Sequence, residues 1–199
     1  GMAGTRRTTP HHEQKSSSFA SRLSSYGVWA EHSGHSNNVF ALAYDPTGQL
    51  LLTGSADKTA KLWHVQGECV LKTFTEHEQW VYSVAYGNKT NLVATGCDDQ
   101  RGCKLCVWKT QTGELEVLAG KQPQLAFLQW GRKLQGAKKH ASYELYTGSN
   151  SKVVQQLLEH DPRTMQYKLS GSAMQMPSSG LSRDYYCAQM HGGDDYIVT

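Results

Sequence analysis

Three residues in the first third of the chain have the side chains of a hydrolase triad. His35, Ser55 and Asp57 would supply base, nucleophile and orienting carboxylate if they met in space. The trio partly returns 42 residues later as His77, Cys97 and Asp99. Catalytic centres are not ordinarily duplicated at a repeat, and exchanging Ser for Cys while keeping His and Asp fits a tolerated structural network. No nucleophile elbow, phosphate-cradling Gly loop or cluster of carboxylates accompanies them. The residue pattern therefore argues against an enzyme. Cys103-Lys-Leu-Cys106 has the spacing of a metal or redox pair, but it lies in a β-like run, where residues three apart point to opposite faces and cannot share one ion. His11 with His12, and His32 with His35, lack a Cys or carboxylate partner at ligand spacing, so neither a metal site nor a cofactor is expected. The cysteines number five, an odd set that suits a reducing compartment better than a disulfide framework.

The elements that must position these residues are short strands. Gly34 to Trp63 holds three apolar runs, Val39 to Tyr44, Leu50 to Thr53 and Ala60 to Trp63. Asp45-Pro46-Thr47-Gly48 and Ala56-Asp57-Lys58 separate them as tight turns. The pattern predicts an antiparallel meander, and its sparse polar alternation predicts strands covered on both faces. The same text returns: His77, Val81 to Tyr86, Leu92 to Thr95, Gly96, Asp99 and Trp108 repeat His35, Val39 to Tyr44, Leu50 to Thr53, Gly54, Asp57 and Trp63. A period near forty with Gly-His at the start and Leu-Trp or Val-Trp at the end marks a propeller blade. At these residues the chain resembles the WD-repeat (Trp-Asp) β-propeller family.

The resemblance implies an all-β fold of four-stranded antiparallel blades, incomplete, with about three blades and parts of a fourth. It implies a buried hydrogen-bond chain of His35, Ser55, Asp57 and Trp63 in the first blade and of His77, Asp99 and Trp108 in the second, where Cys97 weakens the Ser position. In the third blade Ser151 stands at the Asp position and Leu157 at the Trp position, so packing alone is expected there. It also places Asn37, Asn38, Gln79, Trp80, Asp98 and Arg101 on the loop rim where such proteins meet partners. Trp80 is either a contact hot spot or a cover for the blade edge.

Residues 1–25, rich in Ser, Thr, His and Arg, read as a flexible tail before a partial propeller at 26–199. Tyr26 to Glu31 reads as an orphan outer strand. Blades are expected at about 38–74, 80–119 and 124–169, with an incomplete one at 184–199. Tyr186 to Thr199 aligns without a gap on Phe40 to Thr53, and Thr53, Thr95, Thr147 and Thr199 fall at steps of 42, 52 and 52 residues. The expectation is a fragment of a longer propeller, or a half-propeller completed by self-association.

A net charge of +3 is too mild to imply nucleic acid or an anionic membrane, and no apolar run approaches the roughly 20 residues of a membrane span. An intracellular protein, cytoplasmic or nuclear, is expected. The expected function is non-catalytic protein–protein interaction through the rim. Two alternatives stay open: a targeting propeller of a larger enzyme, and an RNA-associated scaffold using the basic insert 131–140, in which no aromatic residues interleave for base stacking.

Overall fold

The computed structural model describes residues 33–87, 90–97, 103–122, 125–135, 141–149, 152–173, 189–190 and 197–198. The expected tail, the strand at Tyr26 to Glu31, and Asp98, Asp99, Arg101, Ser151 and 136–140 lie outside them. Among the described residues there are strands and turns but no helix.

The apolar runs become strands where the turn chemistry closes them. Sheet 1 is β1 (Val39–Tyr44), β2 (Leu50–Ser55), β3 (Ala60–His64) and β4 (Cys69–Phe74), paired antiparallel in chain order. The first turn is held by Asp45, whose carboxylate accepts from the Leu50 and Thr47 N–H groups at 2.8 and 3.2 Å, while Gly48 takes φ 71°. Sheet 2 repeats the plan with β5 (Val81–Tyr86), β6 (Leu92–Cys97), β7 (Cys103–Lys109) and β8 (Leu115–Gln122). Sheet 3 is β9 (Phe127–Gln135), β10 (Ala141–Ser149), β11 (Lys152–Asp161) and β12 (Gln166–Ala173). A last pair, β13 (Gln189–Met190) and β14 (Ile197–Val198), joins Gln189 to Val198 and Met190 to Ile197. That is the register of Ala43 with Leu52 and Tyr44 with Leu51 in sheet 1.

Strand alternation gives each sheet two faces, and successive sheets pack through them. Leu52, Ala60, Leu62 and Phe74 of sheet 1 meet Val93, Cys106 and Trp108 of sheet 2, with the Phe74 and Trp108 rings 4.9 Å apart. On the other face of sheet 2, Leu92, Ala94, Leu105 and Val107 meet Leu128, Trp130, Leu145 and Leu158 of sheet 3. Polar bonds also pin this second seam: Trp130 Nε1 donates to the Ala85 carbonyl at 3.1 Å and Ser83 Oγ to the Leu125 carbonyl at 2.9 Å.

Three expectations are corrected here. β1 is not covered on both faces: Ala41 and Ala43 pack toward sheet 2, but Val39, Leu42 and Tyr44 are about half exposed or more, because no described sheet packs on the other side of sheet 1. The basic insert expected at 131–140 is strand as far as Gln135, paired with β10. The outer strand of the third sheet does not stop at Leu169 but continues to Ala173, pairing with β11 as far as Val154.

The seam between sheets 1 and 2 closes over Gly54. A Cβ there would lie 2.9 Å from the Val81 carbonyl oxygen and from methyls of Val81 and Val84. Gly54→Ala should therefore destabilise by about 2 kcal/mol through overpacking. Gly120→Ala, whose Cβ meets nothing within 4 Å, should be neutral. Thermal unfolding of the two variants checks this, and equal melting temperatures would refute the tight seam.

Candidate functional site: the buried relays and the aromatic rim

In sheet 1, strand pairing sets Trp63 opposite Leu51, one same-face step from Thr53. Trp63 Nε1 donates to Thr53 Oγ1 at 2.8 Å, and His35 Nε2 lies 2.7 Å from the same oxygen. His35 Nδ1 lies 2.8 Å from Asp57 Oδ2. The carboxylate can only accept, so Nδ1 carries the proton, Nε2 accepts from the Thr53 hydroxyl, and that oxygen accepts from the indole. The relay runs Trp63 to Thr53 to His35 to Asp57. Burial alone would raise the Asp57 pKa, but donation by the Thr59 hydroxyl, His35, and the Thr59 and Ser36 N–H groups outweighs it and holds the carboxylate well below its usual range.

The structure therefore brings together His35, Asp57 and Trp63, but through Thr53, which sequence reasoning passed over in favour of Ser55. Ser55 sits one same-face step beyond and fastens the loop instead: its hydroxyl donates to the Asn37 carbonyl at 3.1 Å and accepts from the Asp57 N–H at 3.0 Å. The second sheet obeys the same rule. His77 Nε2 and Trp108 Nε1 reach Thr95 Oγ1 at 2.7 and 2.9 Å. Cys97 thus weakens nothing in the relay, and its Sγ accepts from the Lys104 N–H at 3.0 Å. Burial, with the nearby Lys104 charge, lowers the His77 pKa to about 4 and keeps the imidazole neutral.

In the third sheet the residue opposite Leu145, the place of Trp63 and Trp108, is Gln156 and not Leu157. Its Nε2 donates to Gln122 Oε1 at 3.2 Å. Nor does packing act alone there. Glu144 is buried and accepts from Gln155 Nε2 at 2.9 Å and from the Tyr146 hydroxyl at 3.3 Å.

Thr53, His35 and Asp57 repeat the order of a nucleophile, base and carboxylate. The Thr53 hydroxyl is buried, however, its proton given to His35 and its oxygen capped by Trp63. Such a chain fixes loop, turn and strands to one another. Cys106 is equally closed to chemistry: burial, with Cys97 beside it, pushes its thiol pKa up to about 12. Among the described residues no three His, Cys, Asp or Glu side chains are grouped to hold a metal ion.

The rim is different. β-Bulges between Val39 and Ala41 and between Val81 and Ser83 leave Phe40 and Tyr82 outside the pairing register. The two rings stack on each other, centroids 4.4 Å apart and planes 7° from parallel. Trp80, 47% exposed, leans over both at 5.8 and 6.0 Å. Asn37 and Asn38 are exposed, with Asn37 Oδ1 accepting from the Asn38 N–H at 2.8 Å, and Gln79 is half-buried. Sequence reasoning found Trp80 and missed Phe40 and Tyr82, whose signal was an aromatic at the same point of both repeats.

Antiparallel four-stranded sheets stacked face to face and stitched by Trp-Thr-His relays are propeller blades. The family model described as "WD domain, G-beta repeat" matches residues 28–64 and 68–109, so these two stretches are WD repeats. Over 83 residues, 41% of the chain, it is 28% identical to the U5 small nuclear ribonucleoprotein 40 kDa protein of Dictyostelium discoideum, covering 22% of that protein. It is 35% identical over 85 residues, 42% of the chain, to the Denticleless protein homolog of Danio rerio, covering 13% of it. A chain in the crystal structure of the Mitotic Checkpoint Complex superposes on 82% of this chain with TM-score 0.63 and 18% identity, a likeness of fold that covers 46% of that chain. The chain thus spans less than a quarter of these two curated relatives. WD-repeat proteins generally mediate protein–protein interaction.

Proposed function

We propose that this chain is a non-catalytic scaffold that binds other proteins through the loop rim of its first two blades. Asn37, Asn38, Gln79 and Trp80 are the contact residues within the described structure, and Asp98 and Arg101 belong to the same rim by their place in the repeat. The observation that carries this reading is the aromatic group of exposed Phe40 and Trp80 with partly buried Tyr82, set among polar loops. Large rings concentrated at one point supply contact area at low entropic cost, as binding hot spots do. The relays support it indirectly, because they hold the loops at 33–38 and 56–59 in one geometry. The assembly names of a relative and of the structural neighbour, a small nuclear ribonucleoprotein and a checkpoint complex, support an intracellular scaffold in the cytoplasm or nucleus.

A photoreactive benzoylphenylalanine at Gln79, compared with one at the exposed Leu71 on outer strand β4, tests the rim. Partner adducts in cell extract should form at 79 and be at least about fivefold rarer at 71. Equal yields would remove the rim from the interface.

A further inference from the structure

Strand pairing puts four residues of each sheet at equivalent places on the face that looks toward the next sheet. In sheet 1 they are Ala43, Leu50, Leu52 and Leu62, which pack against sheet 2. In sheet 2 they are Ala85, Leu92, Ala94 and Val107, which pack against sheet 3. In sheet 3 the same four places hold Gln129, Glu144, Tyr146 and Gln155. Leu128, Trp130 and Leu145 point at sheet 2, so alternation turns these four the other way, to the side where β13 lies against β9.

The polar groups of this face bond within their own sheet. Gln155 Nε2 donates to Glu144 Oε1 at 2.9 Å and to the Tyr146 hydroxyl oxygen at 3.3 Å, and the Tyr146 hydroxyl donates to Glu144 Oε2 at 3.3 Å. Gln129 Nε2 donates to the Trp130 carbonyl at 3.2 Å. Gly131 gives the group its seat, since a Cβ there would lie 2.6 Å from the Tyr146 ring and 2.9 Å from Glu144 Cβ. Separating an apolar seam returns leucine and valine to water, at a cost of about 25 cal/mol for each Å² exposed. Separating a face of carboxylate, amide and hydroxyl groups returns to water what water solvates well, and the bonds among them need not break. We infer that the stack parts at this third seam: β13 and β14 lift from sheet 3 in the folded protein while sheets 1, 2 and 3 stay together. The device opens onto a polar face, where parting either earlier seam would expose an apolar one.

Amide hydrogen exchange on the whole chain tests it. Amides of β13 and β14 should exchange at least about a hundredfold faster than those of β6, through local opening. Glu144→Leu with Gln155→Leu gives sheet 3 the residues that sheet 1 carries at Leu50 and Leu62. It should slow exchange in β13 and β14 about tenfold and leave β6 unmoved. Gln155→Leu alone should slow it about threefold. Unchanged or faster exchange in β13 and β14 would overturn the inference, because the polar face would then be holding the seam shut. Wild-type exchange in β13 and β14 as slow as in β6 would overturn it too. If the double substitution speeds β6 as well, its fold is damaged, and the wild-type ratio with Gln155→Leu decides the matter.

Discussion

Thr53→Val should destabilise the protein by roughly 2–4 kcal/mol, while Ser55→Ala should cost only about 1 kcal/mol. Valine nearly matches threonine in volume, so no cavity opens and the loss is polar. Trp63 Nε1 loses its acceptor at 2.8 Å and His35 Nε2 loses its donor at 2.7 Å, both in a buried setting. Each orphaned group carries its own desolvation cost. Ser55→Ala releases only the bridge between the Asn37 carbonyl and the Asp57 N–H. Thr53→Ser keeps the hydroxyl and should recover most of the loss. Urea midpoints of the three variants decide the matter. A larger loss for Ser55→Ala than for Thr53→Val would show that the relay runs through Ser55. Thr95→Val, which strips Trp108 and His77 of the same hydroxyl, should behave like Thr53→Val.

This contrast also marks where the sequence is legible. The repeat of His, Thr, Gly and Trp at a spacing near forty specifies blades, because every blade must place the same groups at the same depth. What the repeat cannot specify is which of two hydroxyls on one face a ring reaches. Thr53 and Ser55 are two apart, share a face of β2, and have Thr95 and Cys97 as counterparts, so the distinction needs the distance from Trp63. In the third sheet β11 pairs with β10 in unbroken register, Leu145 opposite Gln156, and a one-residue error in counting carries the tryptophan position to Leu157, the opposite face. The bulges at Phe40 and Tyr82 are equally silent in the alternation, since one extra residue moves a side chain off its face without changing composition. The basic run at Arg132 and Lys133 reads as loop because it lacks apolar alternation, yet Lys133 and Leu134 pair with Tyr143 and Ser142 of β10.

Stability should fall by about 3 kcal/mol as pH drops from about 6.5 to about 4, from His77 alone. Its folded pKa, about 4, lies below the ordinary 6.5 because burial, and then the Lys104 charge, disfavour the imidazolium. Between those values the unfolded chain binds a proton that the folded chain refuses, so the unfolded state gains with each step toward acid. Above 6.5 both states are neutral and the effect is absent; below 4 both are charged and it is complete. Asp57 acts in a separate, lower window: its folded pKa is depressed, so its contribution is held above the unfolded value of 3.8 and lost only as pH falls through that value toward the folded one. Urea midpoints taken across pH 7 to 4 should slope for the wild type, and the slope should flatten in His77→Gln, which keeps a polar group toward Thr95 without titrating. His77 Nδ1 has no hydrogen-bond partner among the described residues, whereas His35 Nδ1 is held by Asp57. A flat wild-type profile would therefore mean that a carboxylate reaches Nδ1 in solution, with Asp99, at the Asp57 position of the second repeat, the group to replace next.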